Sequence, residues 1–237
     1  MNKTNFQLSE GLEFLKTVPD ESVRLVLTDP PYLVANLSSF GEAYKHFDTE
    51  ETFTMEMLEQ FVKEWFRVLK PGGTLICWFD VFKMETLRGQ VERAGFGKRI
   101  RLIDWQKDAG NQVEVKQTYL GWTEWALVAS KGPTKEIVFN NKDDSGKAIP
   151  KCGHFPGRLP RGKERFHPTQ KPLNVFRELI KLHTNQGEVV LDSFAGSATT
   201  GEAALLEGRV FWGSELNIEY FEKAEKRLKQ TTLVEAL

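Results

Sequence analysis

The sequence predicts an α/β fold: a doubly wound, mostly parallel sheet of the Rossmann-like kind. Two observations carry this. Short β-rich apolar runs such as VRLVLT (23 to 28) and EVVLD (188 to 192) have no polar alternation, as expected of strands covered on both faces. Between such runs lie segments with apolar residues at helical spacing, and strands alternating with helices imply right-handed crossovers and a parallel sheet.

The elements follow in order. VRLVLT stops at Asp29-Pro30-Pro31, where the prolines cannot donate further ladder bonds. From Thr54 to Lys70, Leu58, Val62, Trp65, Phe66 and Leu69 share one helical face, and Pro71-Gly72-Gly73 ends that helix before the strand TLICWF. A second helix over about 82 to 94 stops at Gly95 and leads to the strand RIRLIDW, ending near Trp105; TEWALVAS (123 to 130) is a further strand. From about 131 to 166 periodicity is lost and Gly, Pro, Lys and Arg gather, which reads as an irregular insertion. Order resumes with a helix over Pro172 to His183, the strand 188 to 192, a helix over Thr200 to Glu207, the strand RVFWGSE (209 to 215) and a closing helix to about Lys229. In such a sheet, ligands bind at the carboxyl ends of the strands.

Bulk properties narrow the class. At 237 residues the chain suits one domain, residues 1 to 237, with the modest insertion 131 to 166. No apolar stretch approaches the roughly 20 residues of a membrane span, and the N-terminus has no secretory core, so no membrane is expected and the cytoplasm is the default. Cys77 and Cys152 lie far apart without a CxxC partner, so neither a metal site nor a disulfide framework is expected. The net charge is -1, but from Lys131 to Lys171 ten Lys/Arg face four acids. That stretch is either a solvated loop or a phosphate-holding surface.

Two strand ends carry candidate chemistry. EVVLDSFAGSATTGEAALLEG joins a strand to a helix through a turn of small residues, and Glu215 follows Asp192 by 23 positions. Small residues let backbone approach a nucleotide, and an acid about 20 residues on takes ribose hydroxyls. The turn is not GxGxxG, and Phe194 and Ser197 suit a nucleoside without phosphate, of which S-adenosylmethionine is one; a plain strand-turn-helix packed by small residues is the other reading. At the end of VRLVLT stands Asp29-Pro30-Pro31-Tyr32. An arylamine nitrogen is a poor nucleophile because its lone pair is delocalised into the ring. Asp29 and a neighbouring carbonyl offer two acceptors for its hydrogens, the prolines fix the backbone, and Tyr32 offers a ring on which a base can stack. A simple Asp-Pro-Pro turn closing a strand is the alternative.

With DPPY, SFAGSATTG and HPTQKP (167 to 172) in this order, nearly the whole chain resembles the amino-methylating DNA methyltransferases of bacteria and phages, the N6-adenine and N4-cytosine family, in the permuted arrangement called the β class. The resemblance implies site-specific methylation of double-stranded DNA from S-adenosylmethionine. Asp29, Pro30, Pro31 and Tyr32 would form the catalytic turn. The cofactor set would be Glu10, Asp29, His167, Thr169, Lys171, Asp192, Phe194, Ala195, Gly196, Ser197, Thr199, Glu215 and Asn217, with Lys171 apt for the cofactor's carboxylate. The alternative for His167 is a residue that caps the helix that follows. Asp at the first tetrapeptide position leans towards the N6 of adenine and away from N4-cytosine, the nearest rival; a catalytically inactive DNA-binding relative is a third reading. The chain departs from the family pattern at Ala198, where Gly is usual, at Leu33, where a small polar residue is common, and at Glu10, where Asp is common.

The basic segment is then the natural DNA surface, with Arg158, Arg161 and Arg165 facing phosphates or guanine edges. Residues 40 to 48 form either a lid or a plain connection, and Trp105 is expected in the core, the other reading being that Trp105 and Lys107 line the target pocket. A homodimer and a cognate restriction endonuclease stay open as partners.

Overall fold

VRLVLT forms a strand because its β-branched and leucine side chains tile a pleated surface whose two faces are both covered: five of its six residues are buried. Around it the computed structural model, which describes residues 3–31, 53–97, 99–108, 123–162 and 165–234, assembles one eight-stranded sheet. In chain order the elements are β1 (Thr4–Leu8), α1 (Gly11–Thr17), β2 (Val23–Thr28), α2 (Met55–Val68), β3 (Leu69–Phe79), α3 (Met84–Ala94), β4 (Arg101–Lys107), β5 (Thr123–Ser130), β6 (His154–Gly157), α4 (Leu173–His183), β7 (Val189–Asp192), α5 (Thr199–Leu206), β8 (Val210–Glu215) and α6 (Ile218–Val234). The strand order is β1-β8-β7-β2-β3-β5-β4-β6, and among the described residues only β5 runs against the others.

Helices cover both faces. One face packs α4, α5 and α6 over a core that includes Leu25, Leu27, Trp78, Trp105 and Phe211. The other packs α1, α2 and α3 over Phe14, Val26, Phe61, Trp65 and Leu75. Alternate residues of β2 thus serve opposite cores, which is why the run cannot alternate with polar residues. Each buried Leu or Val contributes about 1.5–3 kcal/mol.

The predicted fold class and most elements are observed, with four differences. β1 and α1 were not expected: β1 is an edge strand of mixed polarity, and α1 is two turns long, so neither shows a periodic pattern. β3 begins at Leu69, so Pro71-Gly72-Gly73 lies inside it, where the register against β2 shifts between Val23 and Leu25. Gly72 is obligatory there, with φ +76° and a position where a Cβ would fall 1.9 Å from the Glu136 carbonyl oxygen. α6 continues five residues past Lys229, to Val234.

The segment 131 to 166 is not uniformly irregular. Because β5 is antiparallel, Lys131 leaves the sheet at its amino edge, where it pairs with Glu21. Asn140 then binds the carbonyls of Lys181, Leu182 and Thr184 at the far end of α4. The chain returns along β6, whose pairing with β4 from Asp104 to Lys107 carries it back to the carboxyl edge. Four residues ending in Pro-Gly carry no strand signal; β6 exists because β4 offers an unpaired edge and α4 covers it.

Candidate active site

β2 leads on to β3 on one side of the sheet and β7 to β8 on the other, so the winding reverses between β2 and β7. A cleft opens at the carboxyl ends of strands flanking such a reversal. Asp29 follows β2 directly and Asp192 ends β7.

Asp192 is walled in. Its Oδ1 accepts from the Thr28 hydroxyl (2.8 Å) and the Phe194 N–H (3.1 Å), and Oδ2 from the Thr200 hydroxyl (2.7 Å). Burial pushes its carboxyl up to about 6, against the pull of those donors and with a further push from the Asp29 charge. It therefore braces β2, β7 and α5 together. The adjoining turn is fixed by backbone and hydroxyl bonds: Ser193 Oγ accepts from the Trp65 indole N–H (3.1 Å), the Ala195 N–H donates to the Ser214 carbonyl (2.9 Å), and the Gly196 N–H donates to Glu215 Oε2 (2.8 Å). Gly196 and Ala198 are both left-handed, each with φ +52°. For glycine this costs nothing; for Ala198 it costs about 1–2 kcal/mol. A Cβ on Gly196 would stand 3.2 Å from His167 Nε2, so its bareness leaves room for the imidazole.

Glu215 ends β8 with Oε1 on the Asn217 N–H (2.8 Å), and burial pushes its carboxyl up against the pull of the N–H donors. Asn217 Oδ1 accepts from the N–H groups of Glu219 and Tyr220 and caps α6. Glu10 caps α1 through Glu13 N–H (2.9 Å), while the Ser9 N–H donates to the Glu215 carbonyl (3.1 Å), so the β1–α1 corner abuts β8. Phe194 packs its ring on Phe61 (4.5 Å) and Phe53 (5.6 Å). Ser197 and Thr199 share a hydroxyl contact (3.1 Å), and Arg227 Nη1 donates to the Ser197 carbonyl (3.0 Å).

His167 is buried against Gly196 and the Tyr220 ring (4.3 Å). Burial, then the charges of Lys171 and Arg165, lower it to about 4. Its Nδ1 accepts from the Thr169 N–H (3.3 Å), which places the proton of the neutral ring on Nε2, facing the turn.

The other side of the cleft is ionic. Lys171 Nζ lies 2.7 Å from Asp29 Oδ2 and 2.6 Å from Glu124 Oε2, and Glu124 Oε1 lies 2.7 Å from Lys107 Nζ. The Trp78 ring is 5.8 Å from the Lys171 ammonium and the Trp105 ring 5.5 Å from that of Lys107. Burial pushes the Glu124 carboxyl up, but Lys171 and Lys107 overcome it and hold it at about 2. Trp105 is a core residue, its indole N–H on the Gly157 carbonyl, and Lys107 joins the ion chain. Sequence reasoning missed Glu124. The signal was a single acid heading the apolar run Trp125 to Ala129; because β5 is antiparallel, its first residues, not its last, reach the carboxyl edge of the sheet.

Of the three arginines, Arg158 lines a groove of about 670 Å³ with Lys223, Lys226 and Arg227. Arg161 pairs with Asp108 (3.1 Å) and Arg165 donates to the Pro168 carbonyl (2.5 Å). Lys142 and Lys147 lie on the excursion between the end of α4 and the start of β6. Tyr32, Leu33 and the segment 40 to 48 lie outside the described residues.

The turn fits a nucleoside that carries no phosphate. It contains no Lys or Arg from Ser193 to Gly201, it is closed by the Glu215 carboxylate, and it presents bare backbone at Gly196. A pyrophosphate there would meet two acids and no side-chain cation from the turn.

The comparisons with known proteins agree with this geometry. Residues 23–226 match the family model N6_N4_Mtase, described as DNA methylase. The Type II methyltransferase M2.DpnII of Streptococcus pneumoniae is 30% identical, over 96% of this chain and 90% of its own length. The DNA adenine methyltransferase YhdJ of Escherichia coli K12 is 31% identical, over 92% and 80%. The crystal structure of the M1.HpyAVI–SAM complex superposes with a TM-score of 0.71 at 27% identity, covering 95% of this chain and 98% of that one.

Proposed function

Because this chain belongs to the N6/N4 DNA methylase family, we propose that it is a site-specific DNA methyltransferase that moves a methyl group from S-adenosylmethionine to the N6 amino group of adenine in double-stranded DNA. One observation carries the reading: the Asp29 carboxylate stands at the reversal point of the sheet beside a turn shaped for a nucleoside.

S-adenosylmethionine bound in that turn supplies an electrophilic methyl group on a sulfonium. Glu215 accepts the ribose hydroxyls, and His167, with its Nε2 proton turned to Gly196, Ser197 and Thr199 shape the wall of the turn. Asp29 accepts a hydrogen from the target amine. Such a bond favours a pyramidal nitrogen with its lone pair free, so it is stronger in the transition state than in the ground state. The carboxylate is also an acceptor for the proton that the methylated nitrogen sheds. Tyr32, next to Pro31 in sequence, is the ring on which the extruded base stacks.

In this reading residues 1 to 237 form one methyltransferase domain. Its DNA contact narrows from 131 to 166 to the returning part, where Arg158 and the basic groove reach the carboxyl edge. The protein acts where the DNA is, in the cytoplasm. The words Type II in the relatives' names support a cognate restriction endonuclease, and a homodimer is compatible with the same fold. The test is to incubate the protein with mixed-sequence duplex DNA and S-adenosylmethionine, digest the DNA, and identify methylated nucleosides by mass spectrometry. N6-methyladenine is expected. N4-methylcytosine would shift the assignment to the other amine, and cofactor binding without any methylated nucleoside would leave a DNA-binding relative.

A further inference from the structure

Lys107, Glu124, Lys171 and Asp29 come from four separate segments, namely β4, β5, the stretch before α4 and the turn after β2. They meet in one line of alternating charge with links of 2.7, 2.6 and 2.7 Å. Lys171 is 6% exposed and Lys107 10% exposed, so neither ammonium is a solvated surface charge. A buried ammonium is tolerable only when paired. Glu124 meets this need for both lysines at once, one through each carboxylate oxygen, and the line as a whole is neutral. An ion chain that served only to join β4 to β5 would have no reason to end on the carboxylate that faces the target amine. This one does, through Asp29 Oδ2.

We propose that Glu124 is a positioning residue for methyl transfer: by bridging Lys107 and Lys171 it holds Lys171 against Asp29, and so fixes the carboxylate that receives the target amine. Lys171 is then the counter-ion of Asp29, and its task is not to grip the cofactor's carboxylate. The geometry gives each member a distinct effect. Without Lys171, Asp29 loses the cation that favours its ionised form, while Asp192 from β7 and the Cys77 thiol from β3 still face it. With Glu124 neutral, Lys171 keeps its charge but loses its second anchor, so Asp29 stays ionised and is held less firmly.

This inference rests on the methyltransferase reading, and the experiment separates the two. The wild type, Glu124→Gln and Lys171→Met are compared for S-adenosylhomocysteine affinity by calorimetry and for turnover on duplex DNA as a function of pH. Both variants should bind S-adenosylhomocysteine within about threefold of the wild type and lose about 10²-fold in kcat, as misplacement of a reacting group does. The acid limb of the rate profile should move to higher pH in Lys171→Met and should not rise in Glu124→Gln. If Lys171→Met does not fold, Lys107→Gln, which loosens Glu124 from its outer side, should lower kcat with the same unchanged affinity. A loss of about tenfold or more in S-adenosylhomocysteine affinity on removing Lys171, or an unchanged kcat in Glu124→Gln, overturns the proposal. A wild type that transfers no methyl group to DNA refutes the functional reading instead, and the affinity of Lys171→Met still decides what Lys171 holds.

Discussion

Two aspartates stand at neighbouring strand ends with opposite surroundings. Asp192, at the end of β7, is enclosed by hydroxyls and a backbone N–H, and burial raises its carboxyl to about 6. Asp29, just past β2, is linked through Lys171 to Glu124 and Lys107. In the proposed reading the cofactor side of the cleft is thus built from backbone, small residues, neutral donors and the Glu215 carboxylate, and the target side from paired ions. A nucleoside with no phosphate is held by close backbone approach, whereas an amine that must be turned into a nucleophile needs a fixed anion.

The largest effect should come from breaking the target side. Asp29→Ala is expected to lower kcat about 10³-fold with cofactor affinity little changed, read by methyl transfer and calorimetry; unchanged turnover would remove Asp29 from the chemistry. The equivalent change on the cofactor side should act on stability. Asp192→Ala strands the Thr28 hydroxyl and the Phe194 N–H and leaves the Thr200 hydroxyl only the Leu27 carbonyl, and is expected to cost about 3 kcal/mol in urea unfolding.

Acid should expose the same division. His167 and His183 are both lowered by burial to about 4 from the ordinary 6.5. The unfolded chain therefore binds more protons than the folded one between those values, and stability falls as pH drops from about 6.5 to 4. Asp192, raised to about 6 from 3.8, opposes this over most of the same window, because there the folded state holds the extra proton. Glu215, also pushed up by burial, opposes it too, whereas Glu124, held at about 2, adds to the loss below its ordinary 4.5; with the two histidines dominant, a net loss of stability is expected between pH 6.5 and 4. Unfolding curves at several pH values check it, and His183→Leu should flatten the dependence.

A smaller effect concerns the basic segment. Arg158→Ala should weaken DNA binding by a few-fold and lower the salt slope by about one, whereas Lys142→Ala with Lys147→Ala, on the excursion that stays at the amino edge, should leave the slope unchanged. A titration at several salt concentrations distinguishes the two halves. The smallest effect is expected at Ala198, where glycine relieves a left-handed backbone but adds freedom to the unfolded chain, for a net gain of about 0.5 kcal/mol.

Much of the fold and part of the site were legible in the sequence. The strands that are covered on both faces announced themselves as continuous apolar runs, and the helices packed on them showed one apolar face. β1, α1 and β6 did not, because an edge strand and a two-turn helix take their stability from neighbours and carry no period of their own. In the site, Asp29, the small-residue turn and Glu215 were visible because each follows a recognisable strand. Glu124 was hidden by an assumption of direction: at the head of a strand it would lie on the far edge of a parallel sheet, and β5 alone is reversed.

The alternation of strands and helices, the residues that end the strands, and a small-residue turn that is not GxGxxG and suits a nucleoside without phosphate could be read from the chain alone, since these depend on local pattern and local chemistry. It took the assembled fold to show that Lys171 meets Asp29, that Glu124 and Lys107 complete the charge, and that half of the basic segment runs along the amino edge. Those outcomes depend on strand order and strand direction, which bring together residues as far apart as 29 and 171, and no local pattern encodes that distance.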